Sequence, residues 1–226
     1  MTSRERVKTA LNHNEPDKIP VDCGGMRSTG MLGATYNKLK SYMGIKTGET
    51  KIYDMVQQLA LVEDWFLDRF QIDVVDLSRA FADNPDDWVK WTLPDGSECK
   101  VPSWMRLEKE GTSWFVIDEE GDRLAEMPSG SFFFDQKIWP YLGKTDTDIG
   151  DLAEKLSKIM WVYMADPMWR YAGKPDFFDR VHKAAKDLYE ETDYSLMAGF
   201  GGQVFELGLY ILRKDELMMS VYAEPQ

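Results

Sequence analysis

The chain has 226 residues, of which 43% are hydrophobic and 13% aromatic, so it can form one domain or a small pair with a sizeable core. Its formal net charge of −12 at pH 7 would repel a phosphate backbone, which argues against a nucleic-acid partner. The apolar runs fall short of the ~20 residues that span a bilayer, so no membrane partner is expected. The charged N-terminus is unlike a signal peptide, and the distant Cys23 and Cys99 give no disulfide framework. These features predict a reduced, cytoplasmic protein.

The N-terminal third alternates between helix and strand patterns. A capping box at residues 2–5 predicts a first helix, and an apolar run predicts a first strand at 19–23. A helix is predicted at 36–43. Apolar residues at helical spacing then predict a long helix at 54–70, and a short strand follows at 72–77.

Residues 83–140 differ from the rest because they carry two β-hairpin patterns. Alternating strands flank a turn at 94–96 and a second turn at 120–122. We therefore expect an antiparallel insert between two β/α units. Beyond it, helical patterns predict helices at 152–164, 176–192 and 214–222.

The segment from Tyr194 to Leu212 predicts a buried strand, a tight turn at Gly199–Gly202 and a helix. In β/α proteins such turns lie at the carboxyl ends of strands, where active sites are built. The order of elements is that of a parallel α/β fold with about three β/α units visible. A complete (β/α)₈ barrel takes roughly 250 residues, so we expect an incomplete N-terminal fragment of one, with the β-hairpin insert inside it.

Several motifs resemble one family. The run from Gly199 to Tyr210 resembles the G-F-x-G-x-x-(W/F)-x-L-x-x-Y segment of uroporphyrinogen decarboxylases. Pro20-Val21 followed by Met26-Arg27 and Gly30 is similar to that family's P-V…M-R-x-x-G segment. The opening residues and the hairpin region resemble the branch of cobamide-dependent methyltransferases that demethylate methoxylated aromatic compounds. The resemblance covers the whole chain and implies that residues 1–226 are the N-terminal part of a single TIM-barrel domain, with 83–140 as its insert.

The resemblance also implies which residues form the site. Arg27 and Tyr210 match catalytic positions of the family. In the decarboxylases a second arginine and an aspartate complete the site, but Met31 and Arg79 (or its neighbour Ala80) stand in their places here. Uroporphyrinogen carries many carboxylates around pyrrole N–H donors, so the loss of both residues disfavours that substrate. The candidate substrate-binding residues are Met26, Asp76, Arg79, Phe200, Gly201, Gly202 and Gln203.

The function that the resemblance favours is transfer of a methyl group from a small methylated substrate, such as a methoxylated aromatic, to a corrinoid on a partner protein. The alternative is uroporphyrinogen decarboxylation in porphyrin biosynthesis, which needs no cofactor. A second alternative is a non-catalytic tetrapyrrole- or corrinoid-binding protein. The family places zinc ligands in the C-terminal half beyond Gln226, and no metal ligand is assigned here. The fragment alone is expected to be inactive, and its open strand edges would allow two copies to pair as a homodimer.

Structural roles compete with several of these assignments. Asp76 and Arg79 could equally form a local salt bridge, and Tyr210 could be a core residue whose hydroxyl is satisfied. The glycines of the turn are explained by backbone geometry alone. The tryptophans of the hairpin region favour a small core of the insert over a docking surface for a corrinoid protein.

Overall fold

The computed structural model describes residues 1–144, 151–165, 167–199 and 204–223 and shows a mixed α/β fold. Eight α-helices lie within these residues: α1 (Ser3–Leu11), α2 (Gly33–Tyr42), α3 (Asp64–Phe70), α4 (Leu152–Ser157), α5 (Met160–Tyr163), α6 (Phe177–Glu191), α7 (Val204–Leu212) and α8 (Lys214–Ala223). None of the helices in this part of the chain is long and apolar enough to cross a membrane.

The strands are short and belong to several small sheets. They are β1 (Met31–Leu32), β2 (Ile52–Asp54), β3 (Leu59–Ala60), β4 (Val74–Asp76), β5 (Trp88–Thr92), β6 (Glu98–Pro102), β7 (Arg106–Glu110), β8 (Ser113–Ile117), β9 (Arg123–Met127), β10 (Asp135–Gln136) and β11 (Ser195–Met197).

The chain forms two compact units. Unit 1 contains residues 1–104 and 165–199, and unit 2 contains the described residues of 105–164 and 200–226. The hairpin β5–β6 belongs to unit 1, whereas the strands β7 to β10 belong to unit 2. The region predicted as one insert is therefore shared between the two units.

Unit 1 contains the parallel pairing that the sequence led us to expect. β11 pairs with β4 in parallel, with Ser195 opposite Val74 and Met197 opposite Asp76. Among the described residues the other strand pairs are antiparallel, and these residues do not form a complete barrel. The mixed α/β class is confirmed.

The prediction of a first strand at 19–23 is wrong. No strand is assigned there, although the backbone of Val21 runs beside the start of β4. The Asp73 N–H donates to the Val21 carbonyl at 2.8 Å, and the Val21 N–H donates to the Asp73 carboxylate at 2.9 Å. A side-chain acceptor thus replaces one backbone partner, and no ladder forms.

The predicted helix at 54–70 is also wrong over its first half. A buried hairpin of β2 and β3 occupies residues 52–60, and α3 begins only at Asp64. Gln58 has a positive φ of 55°, which is incompatible with a continuous helix. The hairpin is buried on both faces, so its apolar residues do not alternate with polar ones. Their spacing in the sequence therefore resembles that of a helix.

Asp73, which is 1% exposed, connects the N-terminal helix α1 to the rest of unit 1. One carboxylate oxygen of Asp73 accepts hydrogen bonds from Ser3 at 2.7 Å and from Arg6 at 2.5 Å, both on α1. Arg6 also pairs with Asp17, and the Ser195 N–H donates to the Asp73 carbonyl at 2.9 Å. Asp73 therefore ties the first helix to both parallel strands.

Unit 2 is built on an antiparallel sheet in the order β10-β9-β8-β7. The predicted hairpin of 114–117 and 123–125 is confirmed as β8–β9, and β7 extends it. The helix predicted at 152–164 is broken into α4 and α5. The helices α7 and α8 match the two predicted at the end of the chain.

Asp73→Asn is expected to lower the free energy of unfolding by about 1 to 3 kcal/mol, because it removes one of the two carboxylates that pair with the buried Arg6 guanidinium. Burial opposes ionisation of Asp73, but hydrogen bonds from Ser3, Val21 and Arg6 outweigh it and hold its pKa below the ordinary value. The stabilisation is thus present above a pH of about 4 and is lost as the pH falls through the folded-state pKa. Urea titrations of both proteins across pH measure this difference.

The exposed Asp86 supplies the matched control for this substitution. Asp86→Asn should change stability by less than about 0.5 kcal/mol, because its side chain faces solvent. Equal stability of Asp73→Asn and the unsubstituted chain at neutral pH would show that the contact between α1 and β4 is not an anchor.

Candidate functional site

The candidate site lies in unit 1 at the carboxyl end of the parallel pair β4–β11. Asp76 ends β4 and stands opposite Met197 at the end of β11. In α/β proteins ligands bind outside the carboxyl ends of parallel strands. The sequence predicts a glycine turn after β11, but Phe200, Gly201, Gly202 and Gln203 lie outside the described part of the chain.

Asp76 is a buried carboxyl group, 7% exposed, at the start of a short 3₁₀ turn. One of its oxygens accepts a hydrogen bond from the Ser78 N–H at 2.7 Å. Burial raises the pKa of Asp76; the bonds from Ser78 and the charge of Arg27 oppose this shift, and the charge of Asp22 adds to it. A carboxyl group in this environment is suited to holding or donating a proton.

Arg27 is held in place by Asp54, which the sequence had placed at the start of a helix. The Arg27 Nε lies 3.0 Å from the Asp54 Oδ2, and the Asp54 side chain is fully buried. The other Asp54 oxygen accepts from the Gln57 N–H at 2.9 Å. The buried hairpin β2–β3 therefore supplies the carboxylate that orients Arg27, and Asp54 is a site residue that sequence reasoning missed.

The turn at residues 22–25, just before Arg27, packs closely against β4. The Gly25 N–H donates to the Asp22 carboxylate at 2.9 Å. A Cβ added at Gly25 would lie 2.7 Å from a methyl of Val74 and 2.6 Å from the same carboxylate, so only glycine fits. Asp22 was also missed, although its position just before two glycines, Gly24 and Gly25, was a usable indication of a turn cap.

Arg79 contacts residues other than Asp76. Its guanidinium donates to the Val62 carbonyl at 2.5 Å and forms an ion pair with Asp64, the first residue of α3. Through these two contacts Arg79 stabilises the start of α3. Of the residues assigned from the sequence, Arg27 is close enough for its charge to act on Asp76, and Met26 precedes Arg27 at the start of its 3₁₀ turn.

Tyr210 lies in unit 2, on α7. Its ring stacks on Trp161 with centroids 5.4 Å apart, and its carbonyl accepts from the Gln136 amide at 2.7 Å. Both contacts are within unit 2, and they give Tyr210 a packing role there.

The described residues contain no group of three or more His, Cys, Asp or Glu side chains placed to hold a metal ion. Burial raises the pKa of the Cys99 thiol to about 12 and also raises that of Cys23, so neither is a ready thiolate ligand. The described side chains therefore do not fit a zinc ion.

Comparison with known proteins gives no match: no family model, no curated protein and no solved structure is significantly similar to the chain. The assignment of a family thus stays a proposal.

Asp76→Asn is expected to raise the free energy of unfolding at pH 7 by about 1 kcal/mol, because the ionised carboxylate is buried at a cost that the neutral amide avoids. Since the pKa of Asp76 is raised in the fold, the gain appears as the pH rises above the ordinary value near 3.9 and vanishes below it. Thermal unfolding of both proteins at several pH values measures this gain in stability, with Asp86→Asn as the control. A lower stability of Asp76→Asn at neutral pH would contradict this view of the site.

Proposed function

We propose that the chain belongs to a barrel of the uroporphyrinogen decarboxylase type and takes part in methyl transfer from a small methylated substrate, such as a methoxylated aromatic, to a corrinoid protein. The observation that carries the proposal is the buried Asp76 carboxyl at the carboxyl end of β4–β11, on which the charge of Arg27 acts. A site of this composition favours a small, weakly charged substrate over a polyanion.

The chemistry of demethylation needs an acid. When a methyl C–O bond breaks, the bonding pair stays on oxygen, and a proton delivered there gives a neutral hydroxyl. Burial raises the pKa of Asp76, which is the direction that this role requires, and the charge of Arg27 stabilises the carboxylate that remains. The corrinoid of the partner protein supplies the acceptor for the methyl group. Because the described residues do not fit zinc, the proton donor Asp76 is the group of this chain that assists departure of the oxygen.

The arginines at this end of unit 1 argue against uroporphyrinogen as the substrate. Arg27 is engaged by the buried Asp54, and Arg79 by Asp64 and the Val62 carbonyl. A substrate with many carboxylates needs guanidinium groups that are not already neutralised. Binding it here would break ion pairs of the protein itself.

The test is to measure two activities on a longer, complete protein that contains residues 1–226, because the fragment alone is expected to be inactive. Methyl transfer from methoxylated benzoates to free cob(I)alamin is followed by absorbance, and decarboxylation of uroporphyrinogen by product analysis. We expect methyl transfer without decarboxylation. Asp76→Asn should lower methyl transfer by at least about 100-fold, the lower range for loss of a general acid, while the protein stays folded.

Asp86→Asn is the control, since it removes an exposed carboxylate nearby in sequence and should leave the rate unchanged. Turnover of uroporphyrinogen, or full methyl transfer by Asp76→Asn, would contradict the proposal.

A further inference from the structure

Helix α7 is almost entirely apolar, yet none of its residues is buried. Its one charged residue is Glu206. Helix α8 follows after a single residue, Arg213, and is likewise without a buried residue. A helix that is apolar over most of its surface is normally covered by other protein. Unit 2 therefore exposes an apolar surface, whereas the candidate site lies in unit 1.

The corner between α7 and α8 is fixed to the body of unit 2. The Tyr141 N–H donates to the Ile211 carbonyl at 2.9 Å, and the Gly143 N–H donates to the Glu216 carboxylate at 2.9 Å. Arg213 turns the chain between the two helices with a φ of 70°. The first turn of α8 is thus held in place, and the exposed side chains follow it along the helix.

One face of α8 is formed by four apolar side chains. At about 100° per residue they span roughly 160° of the helix circumference, and their exposed fractions run from 40% to 91%. Leu217 lies outside this face and contacts α7, since a Cβ added at Gly208 would lie 2.9 Å from it. The four residues form a continuous apolar surface, which we call the α8 patch: Met218, Met219, Val221 and Tyr222.

The exposed area matches what a pair of chains needs. A fully exposed large side chain offers about 150 to 250 Å², so the α8 patch with the exposed Val204 and Phe205 of α7 presents roughly 700 Å². The largest apolar patch on a typical monomer is about 300 to 600 Å². A stable interface takes about 800 Å² from each partner. The surface is therefore larger than monomers commonly leave uncovered and close to half of a dimer interface.

Charge favours a second copy over a lipid surface or a nucleic acid as the occupant. The net charge of −12 repels anionic headgroups and phosphate backbones. Residues 204–223 carry three acidic and two basic side chains, so this region is nearly neutral. Two copies therefore meet here with less repulsion than the net charge implies. Lys214 and Asp215, in the first turn of α8, give the patch a polar rim.

The open strand edges are the other place where two copies could pair. β7 is the outer strand of the sheet in unit 2, and four of its five residues are exposed. Charged side chains on an edge strand oppose the addition of another strand, and β7 carries Arg106, Glu108, Lys109 and Glu110. The α8 patch is thus the better contact surface of this unit.

We propose that two copies of the chain form a dimer through the α8 patch, each copy covering the apolar face of the other. Such a contact is isologous, because one self-complementary surface serves both copies about a two-fold axis. The unbranched side chains of Met218 and Met219 can adapt to the facing helix. Tyr222 buries its ring in the contact and keeps its hydroxyl at the edge.

The test is the mass of the chain in solution, measured by sedimentation velocity over a range of concentrations. We expect a dimer at about 50 μM, since interfaces of this area have dissociation constants of roughly micromolar or below. Met219→Lys with Tyr222→Lys should raise the dissociation constant at least about 100-fold, because both copies would then bury ammonium groups. The far-ultraviolet circular dichroism should stay unchanged, because both side chains are exposed.

The matched control adds the same charge to unit 1. Leu11 and Ile19 are 74% and 84% exposed, close to the 70% and 91% of Met219 and Tyr222. Leu11→Lys with Ile19→Lys should leave the dissociation constant unchanged. Met219→Leu with Tyr222→Phe keeps the apolar area and should retain the dimer.

Four results would each overturn the proposal. They are a monomer at about 50 μM, species that grow beyond a dimer, an unchanged dissociation constant in the Met219/Tyr222 lysine variant, and binding to phosphatidylcholine vesicles in place of dimerisation. A longer protein that contains residues 1–226 should also be a dimer. If that protein is a monomer, its own additional residues cover α8, and the proposal is wrong.

Discussion

The hydrogen bonds of Asp73 are the constraint on which unit 1 depends. Its carboxylate accepts from Ser3 and Arg6 on α1 and from the Val21 N–H, and its carbonyl accepts from Ser195 at the start of β11. One residue thus joins four segments that are distant in sequence. The strand that follows, β4, has only three residues, so fixing its first end also fixes where its last residue lies.

Asp73 and Asp76 flank the same short run of apolar backbone yet have opposite environments. Hydrogen bonds outweigh burial at Asp73 and favour its charge, whereas burial dominates at Asp76 and favours its proton. The first arrangement stabilises the fold, and the second costs stability at neutral pH. A buried carboxyl that costs stability and feels the charge of an oriented arginine is typical of a functional site, where stability is given up for reactivity. Asp54 completes this arrangement by holding Arg27.

Sequence reasoning was most successful where periodicity and turn chemistry agreed. It predicted β4, β11, the helix α7 and the two hairpins β5–β6 and β8–β9. It failed at 54–60, because a hairpin buried on both faces lacks the alternation that marks a strand. That error hid Asp54, since its pairing with Arg27 joins residues that only the tertiary fold brings together. Arg79 was likewise placed correctly on a turn, but its partner Asp64 depends on where α3 begins.

The central claim concerns the two aspartates at the ends of β4. Asp73, just before the strand, anchors the fold as a carboxylate, whereas Asp76, the last residue of the strand, has a raised pKa. Carboxyl ¹³C NMR titration of Asp73 and Asp76 in one sample tests it most directly. We expect Asp73 to titrate below, and Asp76 above, the ordinary aspartate value near 3.9, and Arg27→Gln to raise the pKa of Asp76 further while leaving Asp73 unchanged. Titration of both groups at the ordinary value, or in the reverse order, would contradict the account.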